Sequence, residues 1–173
     1  MQNQQAVFNS LDEADFVSLF GSIYEHSSWV AEQVWRQRSE YPQGYFDDIE
    51  KLKVAMRDIV DQSSDEQKLM LLRAHPDLAG KAALIGDLTN ESKSEQAGAG
   101  LDQCTDIELA HFLQLNDAYR SKFGFPFIMA VKGATKKQIL AGFEERTPND
   151  LETEFTRAIN EVHKIAGFRL ADF

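Results

Sequence analysis

Apolar residues recur along most of this chain at the three-and-four spacing of helices that bury one face, and no segment sustains the alternation of a half-buried strand. Leu11, Phe16, Leu19, Phe20 and Ile23 share one helical face, and Ser10 with Glu13 forms a capping box ahead of them. A second helix runs from about Trp29 to Arg38 and stops at the turn sequence Tyr41-Pro42-Gln43-Gly44. Ile49, Leu52, Val54, Met56 and Ile59 mark a third within Phe46 to Val60. Ser64 to Gln67 opens another, which should end near Ala74 because Pro76 disfavours helix at the residue before it. Thr105-Asp106-Ile107-Glu108 is a second capping box, heading a long helix through Lys122 that Gly124 ends. Thr135 caps a helix to about Glu145. Thr147-Pro148 reads as a cap with proline at the first helical position, and Gly167 as the stop of the last helix. The expectation is an all-α fold, a single domain over residues 1–173 with about seven or eight helices, and residues 1–9 a loose N-terminal segment.

Two segments depart from this scheme. Thr89 to Gly100 is polar, then small, and lies between helices. Phe123 to Val131 is apolar but interrupted by Gly124 and Pro126, and a Phe-Pro pair cannot sit inside a regular helix. Such backbone is either a crossing through the core or the wall of a pocket.

Composition narrows the class. With 173 residues, the chain should bury about 70% of its extended surface, enough for a core without staples. Its formal net charge of −10 argues against a general nucleic-acid surface or an anionic membrane, which demand a basic face. One cysteine, Cys104, excludes an internal disulfide and a cysteine-rich metal site. The polar start Met1-Gln2-Asn3-Gln4-Gln5 lacks the pattern of a secretory signal, and the apolar run Phe125 to Val131 is far too short for a membrane span. A cytoplasmic protein is expected.

Histidine supplies the first candidate chemistry, since its imidazole titrates near neutral pH. His26 has the look of a helix-boundary residue, and His163 of one near a helix C-terminus. His111 follows Glu108 at the Glu-x-x-His spacing of a di-iron helix, but no second such motif occurs and no metal site is expected. His75 is wedged between a helix end and Pro76, on stiff backbone suited to holding a catalytic group. A helix-stop pair whose ring binds a nearby carbonyl accounts for the same two residues. Cys104 precedes a capping box and has no histidine beside it, so it reads as structural. From Ala118 to Phe143 there is no acidic residue, while Arg120, Lys122, Lys132, Lys136 and Lys137 all occur. These cations are either a solvated helix face or a basic mouth that draws in a small anion.

Three blocks, in order, carry a resemblance. His75-Pro76-Asp77-Leu78, then Ser92 to Leu101 (Ser-Lys-Ser-Glu-Gln-Ala-Gly-Ala-Gly-Leu), then Phe123-Gly124-Phe125-Pro126-Phe127-Ile128 resemble the signature blocks of 2-oxo-4-hydroxy-4-carboxy-5-ureidoimidazoline (OHCU) decarboxylases. Ile165 to Leu170 is similar to that family's C-terminal pattern, and the likeness runs from Ser10 to Leu170. It implies an all-helical, cofactor-free, homodimeric carboxy-lyase that turns its small anionic substrate into S-allantoin during urate degradation. It further implies that His75 is the catalytic acid/base with Glu95 beside it, and that Arg169 is the cationic contact. Pro76, Ser92, Lys93, Ser94, Glu95 and Gln96 would bind substrate. Phe127, Ile128, Met129, Ala130 and Val131 would supply a wall and backbone hydrogen bonds. Met129-Ala130 departs slightly from the family's pattern, which bears on pocket shape. The ending Ala171-Asp172-Phe173 lacks the peroxisomal address common among eukaryotic relatives. Two other readings stay open on the residues: a non-catalytic helical interaction module, and a related lyase with a different substrate.

Overall fold

Side-chain oxygens set where most of the helices begin. The computed structural model describes residues 11–80 and 86–173. Ser10 and residues 1–9 lie outside them. Helix α1 (Glu13–Phe20) opens two residues later than the Ser10 box predicts, because the Asp12 carboxylate accepts from the Asp15 N–H at 2.9 Å and takes the cap. Helix α2 (Trp29–Gln37) runs into a 3-10 turn, Arg38–Glu40. The third helix begins later than Phe46. Tyr45–Asp47 forms a separate 3-10 turn, and Asp48 then caps α3 (Ile49–Asp61) through the Glu50 N–H. Helix α4 (Asp65–Arg73) starts at the Ser64–Gln67 capping box and stops with Ala74.

The polar Thr89 to Gly100 segment is largely helical. Thr89 accepts from the Ser92 N–H and caps α5 (Asn90–Gly98). Its buried positions, Ser92 and Gln96, are polar, so it carries no apolar stripe by which the sequence could announce it. After a 3-10 turn (Leu101–Gln103) come α6 (Asp106–Phe123), opened by the expected capping box and closed by Gly124 at φ +79°, and α7 (Lys136–Arg146), capped as expected by Thr135, which also forms a capping box with Gln138.

The final helix, α8 (Leu151–Leu170), corrects three expectations. Thr147 does not cap it; the Thr147 hydroxyl donates to the Phe143 carbonyl at the end of α7, and Asp150 accepts from the Thr153 N–H at 2.7 Å instead. Gly167 does not stop it. One helical glycine costs only about 1 kcal/mol, and the turn beyond it buries Leu170 and Arg169. His163 is therefore buried within the helix rather than placed at its end. The described residues contain eight α-helices and no strand, and none of their helices is long and apolar enough to cross a membrane.

Two compact units divide the chain. The first comprises the residues up to Ala74 together with Ile165–Phe173. In it α1 packs on α2 and α2 on α3, around Phe16, Phe20, Val34, Leu52 and Met56. The second, His75–Lys164, is centred on buried aromatic rings. Phe127 stacks on Phe143 with centroids 3.8 Å apart, and Tyr119 meets Phe127 edge-on at 5.2 Å. Fully burying each such ring is worth about 1.5–3 kcal/mol. This second unit holds the His75 turn and the irregular apolar segment.

Candidate active site

Helix α4 ends at Arg73, and His75 follows it with only 6% of its surface exposed. Pro76 stiffens the next peptide. The chain then folds tightly: Ala79 sits at φ +52°, a region that disfavours side chains. At Gly80 a Cβ would come within 2.5 Å of the Asp77 Cβ, so the turn closes only with glycine there. Two helices hold it. From α5, Gln96 Oε1 accepts from the Ala79 N–H at 3.0 Å, and its Nε2 donates to the Asp77 carbonyl at 3.3 Å. From α6, Asn116 Nδ2 donates to the Leu78 carbonyl at 2.8 Å, and Arg120 Nη2 pairs with Asp77 Oδ1 at 2.7 Å.

These bonds bring two of the three sequence blocks together. Ser92 and Gln96 lie one turn apart on the buried face of α5, Glu95 is half-buried, and Lys93 and Ser94 are exposed. Pro76 is half-buried. The carboxamide of Gln96, expected to meet substrate, holds backbone instead with its oxygen and one of its two N–H groups. Lys93 and Gln96 also line a cleft of about 330 Å³ with Ala79, Leu101 and Cys104, a volume suited to a small metabolite. Burial pushes the Cys104 thiol up despite the nearby Lys136, so nothing activates it as a nucleophile.

The apolar segment is extended and irregular from Phe125 to Val131, as its glycine and proline require. Phe127, Ile128 and Val131 are buried, Met129 and Ala130 half-buried. Charged side chains secure it. Arg146 Nη1 donates to the Ile128 carbonyl at 2.5 Å, and Glu161 accepts from the Ala130 N–H at 2.9 Å. Arg146 is 1% exposed and pairs at 2.9 Å with Glu154, whose side chain is wholly buried. The Tyr119 hydroxyl donates to the same carboxylate, and Asn149 Nδ2 donates to its other oxygen at 2.9 Å. Burial and then the bond to Glu154 push the Tyr119 phenol up, so it stays a donor. At Glu161 burial pushes the carboxyl up, but the Ala130 N–H, Lys164 and Arg157 outweigh it and the net shift is downward. Two backbone groups of the expected substrate wall, the Ile128 carbonyl and the Ala130 N–H, are thus engaged by the protein itself.

Arg169 belongs to the first unit. It is buried, with Nη2 2.8 Å from Glu25 Oε2 and Nη1 donating to the Ser22 carbonyl at 3.1 Å. The basic mouth is partly neutralised. Arg120 meets Asp77, Lys122 donates to the Thr147 carbonyl, and Lys136 pairs with Glu108 at 3.0 Å. His26 and His111 are exposed, and among the described residues no three His, Cys, Asp or Glu side chains gather as a metal-holding group.

Several of these residues escaped the sequence reading although their signal was present: a polar residue at an inward helical register. Asn116 falls in line with Phe112, Tyr119 and Phe123; Arg146 with Ile139 and Phe143; Glu154 and Glu161 with Ala158 and Ile165. Glu25 lies in an irregular connection and carries no such mark.

Comparison with known proteins agrees with the resemblance. Residues 9–171 match the family model described as OHCU decarboxylase. The chain is 45% identical over 164 residues to a 2-oxo-4-hydroxy-4-carboxy-5-ureidoimidazoline decarboxylase of Haloferax volcanii, covering 95% of this chain and 92% of that one. Among solved structures, an (S)-allantoin synthase aligns at a TM-score of 0.76 with 39% identity, over 97% of this chain and 53% of the other. An OHCU decarboxylase crystallised in the presence of (S)-allantoin aligns at 0.67 with 25% identity, covering 94% of this chain and 97% of the other. With nearly its whole length matched and its blocks in order, this chain belongs to the OHCU decarboxylase family.

Proposed function

We propose that this protein decarboxylates 2-oxo-4-hydroxy-4-carboxy-5-ureidoimidazoline to (S)-allantoin in urate breakdown, with His75 as its acid/base. The observation that carries the assignment is a buried imidazole on a turn clamped from two helices, one of which presents Ser92, Glu95 and Gln96. Catalysis by proton transfer needs such fixed placement, because misplacement by an ångström can cost about a hundredfold.

The substrate supplies its own electron sink. Its carboxylate and hydroxyl share one ring carbon, adjacent to a C=N bond. As the bond to the carboxylate breaks and CO₂ leaves, its electron pair forms a C=C bond to the neighbouring carbon, the C=N pair passes to the ring nitrogen, which takes up a proton, and an enol is left. The enol hydroxyl then loses its proton as its carbon becomes a carbonyl, and the neighbouring carbon takes one up. One proton is consumed per carboxylate ion. His75, oriented by Glu95, exchanges the hydroxyl proton; delivery to one face of the neighbouring carbon sets the S configuration. Ser92, Lys93, Ser94 and the second N–H of Gln96 bind the carboxylate and ureido groups. Phe127 to Val131 keep water from the enol, which strengthens these contacts and prevents racemic protonation. Only the family resemblance gives Arg169 a substrate contact; a guanidinium suits a planar anion. The same resemblance supports a homodimer that works without a cofactor.

Freshly generated urate-oxidation intermediate tests the assignment. The protein should bring up the circular-dichroism signal of a single allantoin enantiomer well ahead of spontaneous decay. A His75→Ala variant, still folded, should lose about 10²–10⁴-fold in turnover. No acceleration by the wild-type protein would leave an interaction module or a lyase of another substrate, and full activity in His75→Ala would remove the imidazole from the chemistry.

A further inference from the structure

We propose that Asn116 and Arg120, on one face of α6, are positioning residues that aim the His75 imidazole by fixing the turn that follows it. The inference rests on the acid/base reading of His75 and extends it to two side chains outside all the signature-block residues expected to bind substrate.

The turn has reasons to move if left alone. Ala79 occupies a backbone region that an alanine leaves readily, and helix α4 ends at Arg73, ahead of His75. Gln96 fixes the peptides on either side of Leu78, at the Asp77 carbonyl and the Ala79 N–H. The Leu78 carbonyl itself is held only from α6, by Asn116 at 2.8 Å, among the bonds of the described residues. Arg120, one turn further along α6, grips the Asp77 side chain at 2.7 Å. A 38-residue separation in sequence at Asn116 and 43 at Arg120 means that neither bond stabilises local structure. Both dock α6 against the peptides just after the histidine.

Asn116 is costly as a mere core residue. It is fully buried, and its Oδ1 meets no donor among the described residues, a state that ordinarily lowers stability. What that buried amide secures is one carbonyl of the turn. The Arg120–Asp77 pair is the reverse case: Arg120 is about half exposed, so the pair adds little to stability while its short, charge-assisted bond restricts where Asp77 can sit. Because Asp77 is two residues from His75 and Pro76 makes the linkage stiff, a displaced Asp77 carries the imidazole with it.

A cycle of Arg120→Met and Asp77→Asn in the full-length protein tests this. Each single variant should lower kcat about tenfold with KM within twofold, since a misaimed acid/base weakens the transition state and not ground-state binding. The double variant should be no worse than either single one. Arg120→Lys should restore part of the rate, and melting temperatures should stay within about 4 °C of wild type. In a His75→Ala background, Arg120→Met should change the residual rate by less than twofold. Asn116→Leu should follow the same kcat pattern, and the exposed Arg120 keeps the test valid if that variant does not fold. An unchanged kcat, a rise in KM alone, multiplicative losses in the double variant, or a further loss in the His75→Ala background would each overturn the proposal. Wild-type turnover by His75→Ala alone would instead bring down the acid/base assignment, and the positioning role with it.

Discussion

The His75 turn and the Phe125–Val131 segment are both irregular backbone beside a helix end, yet they are held by opposite means. The turn is held by two neutral carboxamides and a half-exposed ion pair. The apolar segment is held by an arginine and two glutamates removed from water. The difference follows from surroundings. A carbonyl among phenylalanine rings cannot fall back on water, so the Ile128 oxygen needs a strong donor, and Arg146 needs Glu154 in turn to be stable there. The turn borders a cleft and one of its ties is a half-exposed ion pair, so neutral carboxamides suffice for the rest. Fixing the wall is therefore a condition of folding, whereas fixing the turn is a condition of aim.

Breaking the wall should have the largest effect. Arg146→Met leaves Glu154 buried without its cation and should cost about 3–5 kcal/mol in urea unfolding; a cost under 1 kcal/mol would mean that the pair is not part of the wall's support. Adding Glu154→Leu should recover part of that loss. Glu161→Gln comes next, at about 1.5–3 kcal/mol at neutral pH, the worth of a hydrogen bond to a charged group. Its pH dependence has a definite sign. The folded carboxyl lies below its ordinary value of 4.5, so its contribution is full above that pH and fades as pH falls through the lowered folded value. Stability curves of wild type and Glu161→Gln should therefore converge on acidification, and parallel curves would contradict the charge on Glu161. Asn116→Leu should cost about 1 kcal/mol, because it loses the Leu78 bond but also removes a buried acceptor that lacks a donor. Arg120→Met should cost less than 1 kcal/mol, giving the sharpest contrast with Arg146: similar guanidinium contacts to carboxylates, one decisive for folding and the other for turnover.

The buried arginine of the first unit sharpens the contrast further. Arg169 was singled out by resemblance, and its guanidinium meets Glu25 and the Ser22 carbonyl. Arg169→Met should raise KM if the guanidinium makes ground-state substrate contacts; equal losses in kcat and kcat/KM would place its action in the transition state. Wild-type kinetics would exclude it from substrate binding.

Helix starts were legible at Ser64, Thr105 and Thr135, where a serine or threonine meets a glutamate or glutamine three residues on, because both partners lie within one turn of chain, whereas the Ser10–Glu13 pattern misplaced the start of α1, which Asp12 caps. The irregularity of Phe125–Val131 was legible for the same reason, since proline forbids a helix locally. Local reasoning failed at Thr147 and Gly167. Both are plausible punctuation, yet Asp150 offered a better cap and the turn after Gly167 had buried partners to reach. Helix α5 went unseen because its buried face is Ser92 and Gln96, polar residues whose partners are the distant peptides of Asp77 and Ala79.

Sequence by itself determined the class of fold, the family and the signature blocks that mark it, all of which depend on residue types at short spacing. Only tertiary structure decided what each buried polar group does: that Gln96 grips a turn, that Asn116 and Arg120 reach that turn from another helix, and that Arg146 and Glu161 hold the wall. Hydrogen bonds and ion pairs act over about 3 Å. Their partners stand up to 43 residues apart in these cases and 147 apart at Arg169 and Ser22, and folding alone brings them within reach.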